Sequence, residues 1–239
     1  MGGVGKSIAS PNTVVTPDGI TIGVGDYLLY GQDSGHKPIP QAILDFEQKR
    51  KSAKIEFGVI VDDNGNVIYS AKGGRTGVKM SVLALRAGSF ASHNHPRTGE
   101  EEGFLGGTFS SPDIRSFSSN PLPTFRAVAS EGTYSITKIP GFDGPGLYNA
   151  YKHFESVQQS TFSKNQDAVA QKYAPLASQI KADYHSGKIS YSEVVSKLQA
   201  QKKQYLGELK ALANRDLIDA HNWFLANQKK YGYTYGLER

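Results

Sequence analysis

Two histidines and an aspartate have the spacing of a metal site in this chain of 239 residues. His93 and His95 are one residue apart, and alternate side chains of a strand point to the same face. Asp113 follows where a helix is expected to begin, so its carboxylate can approach from a different element. Three protein ligands leave the fourth tetrahedral position to water, which distinguishes a catalytic zinc site from a structural one. The chain contains no cysteine, which excludes a closed thiolate site.

The elements that must position these residues are predicted by local patterns. Residues 54–61 are rich in β-branched side chains, and Asn64-Gly65 before a second apolar run is a strong hairpin signal. Residues 89–92 read as a strand that leads into His93. Ser111-Pro112-Asp113 predicts a helix start, with serine as the cap, proline at the first helical position and aspartate in the first turn.

Past residue 147, apolar side chains recur at steps of three and four residues in two runs separated by Ser186-Gly187. This pattern predicts two long antiparallel helices packed as a hairpin, and Pro175 should kink or split the first of them. We expect this hairpin to share a core with the preceding domain. Residues 231–235 read as a final strand or an exposed tail.

Together these patterns predict a chain of the α/β (α+β) class with a C-terminal long helical hairpin. The predicted parts are an N-terminal extended or strand segment at 1–40, a catalytic core at 41–147, and the hairpin with its tail at 148–239. The remaining predicted elements are short strands at 13–15, 20–22 and 27–30, short helices at 40–53 and 79–87, and a second hairpin at 125–130 and 133–139.

Four features in order resemble the JAMM/MPN metalloprotease family. They are Glu56 on a strand before the Asn-Gly hairpin, Ser92-His93-Asn94-His95-Pro96, Ser110 and Asp113. The His-Asn-His-Pro sequence is most similar to the bacterial, phage and RadC-like branch. The resemblance covers about residues 54–139, and it implies a mixed sheet flanked by helices with zinc between the histidine strand and the aspartate helix.

The resemblance also implies a role for each residue of the motif. His93, His95 and Asp113 would be the ligands of Zn²⁺, and Glu56 would hold and deprotonate the water on the metal. Ser110 would hydrogen-bond the oxyanion of the tetrahedral intermediate. The chain is therefore predicted to be a zinc-dependent metallopeptidase or isopeptidase that hydrolyses an amide bond of a protein or peptide, such as a ubiquitin-like tail.

One departure from the family pattern lies between the second histidine and the aspartate. The 17 residues from Pro96 to Pro112 exceed what the family usually has there. The surplus, at 97–107, contains several glycines and is interpreted either as a mobile loop that gates the site or as a tolerated insertion. Glu100, Glu101 and Glu102 within it could attract or repel a charged substrate.

The charge of the chain is unevenly distributed. Residues 1–147 hold 14 Lys+Arg against 14 Asp+Glu, whereas residues 148–239 hold 13 against 8. The excess is interpreted as a solvated helical surface or as a surface for an acidic partner. Because no arginine-rich run or aromatic-basic interleaving accompanies it, we do not expect a nucleic-acid role.

Two other functions remain open on the sequence. Bacterial and phage chains with this motif also resemble terminal domains of secreted toxins or virion proteins, so the chain could be an effector that acts on a host protein. It could instead be a non-catalytic scaffold of the same fold, with the helical hairpin as its binding surface. No apolar run approaches a membrane span of about 18–20 residues, and no signal-peptide core is found. We therefore expect a cytoplasmic protein, or one delivered or secreted with a larger system, without a membrane partner.

Overall fold

A computed structural model describes residues 13–15, 21–23, 38–96 and 106–238. The predicted strand at 27–30 and most of the predicted loop at 97–107, with its three glutamates, lie outside the described residues. The strands are β1 (Thr13–Val15), β2 (Thr21–Gly23), β3 (Phe57–Val61), β4 (Val67–Lys72), β5 (Phe90–Asn94), β6 (Thr124–Val128), β7 (Thr133–Lys138) and β8 (Tyr233–Glu238). The helices are α1 (Gln41–Arg50), α2 (Val82–Ala87), α3 (Ser111–Ser118), α4 (Gly144–His185) and α5 (Tyr191–Tyr231).

In the part of the chain that the structure describes, six strands form one mixed sheet in the order β4-β3-β5-β6-β7-β8. Strands β5 and β6 run parallel, and every other neighbouring pair runs antiparallel. The parallel pair needs a crossover, and the segment that contains α3 supplies it. The predicted α+β class is confirmed. The short strands predicted at 13–15 and 20–22 are present as β1 and β2, which pair with each other in an antiparallel arrangement.

The predicted Asn-Gly hairpin joins β3 to β4. Gly65 has a φ of 81°, a backbone angle that residues other than glycine rarely adopt. The Asp62 carboxylate stabilises the turn by accepting hydrogen bonds from the backbone N–H groups of Asn64 and Asn66. The second predicted hairpin is also present, as β6 and β7. Both hairpins could be predicted because turn chemistry is local.

The two faces of the sheet are covered unequally. Helix α1 covers one face through a small apolar cluster around Ile43 and Phe90. The other face carries the main core, in which Phe125 and Ile136 of the sheet join Ile114 of α3 and Phe224 of α5. The helical hairpin therefore shares a core with the rest of the molecule, as predicted.

The long hairpin consists of α4 and α5, which pack against each other along their length. Pro175 lies inside α4, which continues through it, so of the predicted kink or split the split is wrong. The partner helix supports this region, because Tyr173 is buried and its carbonyl accepts a hydrogen bond from the Gln201 side chain at 2.6 Å. After α5 the chain returns to the sheet as β8, which selects the strand over the exposed tail. Within the described residues, no helix combines the length and apolarity that a bilayer crossing requires.

An arginine cluster is buried on the α1 face of the sheet. We use this name for Glu47, Arg126 and Glu238. The guanidinium group of Arg126 donates two hydrogen bonds to each carboxylate, at 2.7 and 2.9 Å to Glu47 and at 2.8 and 2.9 Å to Glu238. Ser92 of β5 also donates to Glu47, at 3.0 Å. The cluster links α1, β6 and β8, which come from distant parts of the chain.

Candidate metal centre

Strand β5 aims its odd-numbered side chains at the main core, and this places His93. The ring is buried and stacks on Phe125, with 5.1 Å between the ring centroids. Its Nδ1 lies 3.1 Å from the backbone carbonyl oxygen of Arg126 on the neighbouring strand β6. Because a carbonyl oxygen can only accept, this contact requires a proton on Nδ1 and directs Nε2 away from the strand.

His95 lies just beyond the end of β5 and is oriented in the same way. Its Nδ1 lies 3.0 Å from the carbonyl oxygen of Gly107 and 3.2 Å from that of Gly106. The two glycine N–H groups donate to the carboxylate of Glu131, at 2.8 and 2.9 Å. Glu131, in the β6–β7 turn, thus holds the glycine backbone in place, and the carbonyls of that backbone orient the ring of His95.

Asp113 is held by the N-terminus of α3. Ser110 is the N-cap, which corrects the prediction that Ser111 would cap this helix. One carboxylate oxygen of Asp113, Oδ2, accepts hydrogen bonds from the backbone N–H of Ser110 at 2.8 Å and from its hydroxyl at 2.6 Å. This reciprocal capping box orients the carboxylate and leaves Oδ1 to face His93.

The three predicted ligands converge, and we call His93, His95 and Asp113 the metal cluster. One ligand atom from each lies within 4.8 Å of the others. The two Nε2 atoms are 3.0 Å apart, and Asp113 oxygens lie 3.3 Å from Nε2 of His93 and 3.9 Å from that of His95. With both Nδ1 atoms protonated, three acceptors point at one another. A positive charge, either a proton or a metal ion, must compensate them.

The pKa values of the metal cluster reflect this lack of hydrogen-bond donors between its ligand atoms. Burial opposes a charge on His93, but the carboxylates of Asp113 and Glu56 outweigh it and raise the pKa of this imidazole above 6.5. Burial and the neighbouring His93 lower the pKa of His95 below the same value. Burial also disfavours the charged form of Asp113, but His93 outweighs it and holds the pKa of that carboxyl well below its usual range. His93 is therefore the more basic of the two imidazoles, and a bound metal would compete with a proton for its Nε2 atom.

Glu56 lies beside the metal cluster, one residue before β3 rather than within the predicted strand. The register pairs Gly58 with His93, so its extension sets Glu56 opposite His95 on the same face. Asn94 fixes this position, since its side chain accepts from the Phe57 N–H at 2.7 Å and donates to the Ile55 carbonyl at 3.1 Å. The residue between the two histidines therefore fixes the backbone on both sides of Glu56.

The environment of Glu56 raises its affinity for a proton. Burial raises the pKa of this carboxyl above 4.5, and the negative charge of Asp113 adds to the effect, while His93 and the Val78 N–H oppose it. A carboxylate with a raised pKa, next to a candidate metal centre, has the property required of a general base.

The donor set fits a divalent metal. Two imidazole nitrogens and one carboxylate oxygen are a ligand set found in catalytic zinc sites, although other first-row metals also accept it. The Nδ1–H group of each imidazole donates a hydrogen bond to a backbone carbonyl, which is the supporting contact that metal-binding histidines usually make. The five residues predicted from the sequence thus meet at one place. The sequence did not predict the groups that support this site, which are Asn94, Glu131 and the backbone carbonyls. No local pattern marks them, except that strand alternation places Asn94 on the face opposite the histidines.

Comparisons of the chain with protein-family models, curated proteins and solved structures gave no match. The family resemblance therefore depends on the residues of the motif and on the site that they form.

Proposed function

We propose that this chain is a zinc-dependent peptidase or isopeptidase of the JAMM type, which hydrolyses an amide bond. The observation that carries the proposal is the convergence of the acceptor atoms of His93, His95 and Asp113 beside Glu56. A structural charge cluster would contain its own donors, whereas this one needs an added positive charge, which a metal ion can supply. A carboxylate poised to accept a proton is the additional group that metal-assisted hydrolysis needs.

Glu56 would act as the proton carrier. When bound, zinc lowers the pKa of a coordinated water towards about 7 and polarises a substrate carbonyl. The Glu56 carboxylate would take the proton of the attacking water and transfer it to the leaving amine. Its raised pKa suits both steps, because a carboxyl that is too acidic would return the proton poorly.

Ser110 has a second role that its contacts favour. Its hydroxyl donates to Asp113, so the proton intended for an oxyanion is engaged by the carboxylate. We propose that Ser110 first orients Asp113 as a ligand, and that its role towards the oxyanion, which the resemblance implies, requires the hydroxyl to rotate. The two roles are separable, since the first affects metal affinity and the second affects turnover.

The proposal is tested by proteomic detection of new peptide termini in a cell lysate. We expect termini to appear with the zinc-loaded protein, to disappear after chelation and to return when zinc is added back. Glu56→Gln should bind zinc yet lose activity by about 10²–10⁴-fold, the usual contribution of a general base. Full activity in this variant, or cleavage that ignores chelation, would refute the mechanism. A comparison of bacterial with host lysates separates a housekeeping peptidase from a delivered effector.

A non-catalytic scaffold is the second candidate, and one observation favours it. The hairpin exposes several large apolar side chains, which suits a protein partner. They are Val157, Leu176, Tyr184, Tyr191, Val195 and Leu206. A scaffold predicts a chain that neither copurifies with zinc nor is stabilised by it, so metal analysis separates the two functions.

A further inference from the structure

A cavity of about 460 Å³ extends from the metal cluster to the base of the helical hairpin. His95 and Ser110 line it together with side chains of α4 and α5. Its volume falls within the range of about 300–1,000 Å³ that is typical of ligand pockets. A group bound in this cavity would therefore lie directly beside the candidate reaction centre.

Helix α4 forms one wall of the cavity. Tyr151, Glu155, Gln158 and Phe162 line it at steps of three or four residues, which places them on one face of the helix. At 1.5 Å per residue this stripe is about 16 Å long, enough for an extended side chain and its neighbours. The hydroxyl of Tyr151 donates to the Phe109 carbonyl at 2.7 Å, so α4 is tied to the segment that leads to Ser110.

Helix α5 forms the facing wall and adds a second carboxylate. Asp216 lines the cavity between the apolar side chains of Ala213, Leu217 and Ala220. Burial and the charge of Asp219 raise the pKa of Asp216, while Arg215 opposes them, so a cation within the cavity would further stabilise the ionised carboxylate.

The charge of the cavity is opposite to that of its surroundings. Of the described residues that line it, Glu155 and Asp216 are acidic and none is lysine or arginine. The segment 148–239 nevertheless has an excess of basic residues, 13 against 8. The Glu155 carboxylate also accepts a hydrogen bond from the Ser111 N–H at 3.2 Å, which places one negative charge next to the candidate site.

We propose that this cavity is a specificity pocket for a lysine or arginine side chain of the substrate, next to the scissile amide. The aliphatic part would pack on Phe109 and Leu217, and the cationic end would meet Glu155 and Asp216. The inference depends on the proposed hydrolysis, and it names the substrates as peptides with a basic residue at a fixed distance from the cleavage point.

The first experiment digests a degenerate pool of synthetic peptides with the zinc-loaded protein and sequences the products by mass spectrometry. We expect lysine and arginine to be enriched at one position relative to the cut. Glu155→Gln, Asp216→Asn and the double variant should reduce the ratio of basic to norleucine peptides, by about tenfold or more for the double variant. Asp167→Asn is the matched control, because Asp167 is exposed on α4 outside the cavity lining, and it should change the ratio by about twofold at most.

The second experiment measures binding without hydrolysis, by the fluorescence of p-aminobenzamidine, an aromatic cation, against the neutral p-aminobenzamide. Wild-type protein should bind the cation selectively, and the double variant about tenfold more weakly. Cleavage without basic enrichment, enrichment of acidic or apolar residues, or equal binding by wild-type and double-variant protein would overturn the pocket. Selective binding without any cleavage would instead overturn the proposed function and leave the pocket intact.

Discussion

The two charge clusters lie on opposite faces of β5 and β6, and they differ in whether their hydrogen-bond donors match their acceptors. The arginine cluster matches its donors to its acceptors, with four hydrogen bonds of 2.7–2.9 Å. The metal cluster turns acceptors towards one another at 3.0–3.9 Å. An ion pair whose donors and acceptors match needs no ligand to satisfy its buried polar groups. The shortage of donors, rather than the burial of charge, distinguishes the candidate site.

The clusters are also built differently along the chain. The arginine cluster joins residues that are 79 and 112 positions apart, so it ties the first helix and the last strand to the middle of the sheet. The metal cluster comes from one crossover, where β5 leads to α3. The first arrangement suits stability, and the second suits a compact site that can bind and release ligands.

The largest effect that separates the clusters is expected from Arg126→Met. It leaves the buried carboxylate of Glu47 and the part-buried carboxylate of Glu238 without their cation, and it should lower the free energy of unfolding by about 3–5 kcal/mol, as measured in urea. Zinc uptake by the folded fraction should persist, because the backbone carbonyl that supports His93 remains. As a control, Arg126→Met combined with Glu47→Leu and Glu238→Leu should recover most of the loss. A stable single variant would mean that the arginine cluster is not structural.

A smaller effect is expected from Ser110→Ala in the metal cluster. The change removes a hydroxyl that orients Asp113 and should weaken zinc affinity by about 10–100-fold, as measured by competition with a chelating dye. Ser111→Ala, next to it, is the control and should leave zinc affinity nearly unchanged. If Ser110→Ala binds zinc normally but loses turnover, the oxyanion role is favoured over the orienting role.

The smallest effect is expected from Glu56→Gln in protein stripped of metal, and Glu47→Gln in the arginine cluster is the comparison. Because the folded state raises the pKa of Glu56, stability is lost as pH rises from 4.5 through the raised value. Glu56→Gln should therefore raise the melting temperature at pH 7, and this gain should vanish below pH 4.5. Glu47→Gln should instead destabilise at pH 7, since it breaks a satisfied ion pair. If both substitutions changed the melting temperature at pH 7 in the same direction, the two clusters would not differ as described.

Local chemistry explains which features could be predicted. The alternation of His93 and His95 and the turn at Gly65 depend on neighbouring residues, and both are present as expected. The helix cap was predicted one residue late, because Ser110 and Ser111 are both good caps and Pro112 is tolerated at either early position. Pro175 was expected to kink or split α4, but the helix continues through it, because packing against α5 outweighs the local penalty.

Long-range contacts explain what was missed. Nothing near Arg126 in the sequence indicates that Glu47 and Glu238 will meet it. The same holds for the cavity, whose walls join the loop before α3 to both long helices. The division of the chain at residue 147 remains a prediction, although the hairpin and β8 contribute to the main core and the sheet.

The presence of a zinc site at the metal cluster is tested most directly by X-ray absorption at the zinc edge, on the 239-residue chain loaded with one equivalent of zinc and dialysed. We expect one retained zinc per chain, with two imidazole ligands in wild type and a changed spectrum in His93→Ala. Loss of the zinc on dialysis, or a spectrum without imidazole ligands, would contradict it.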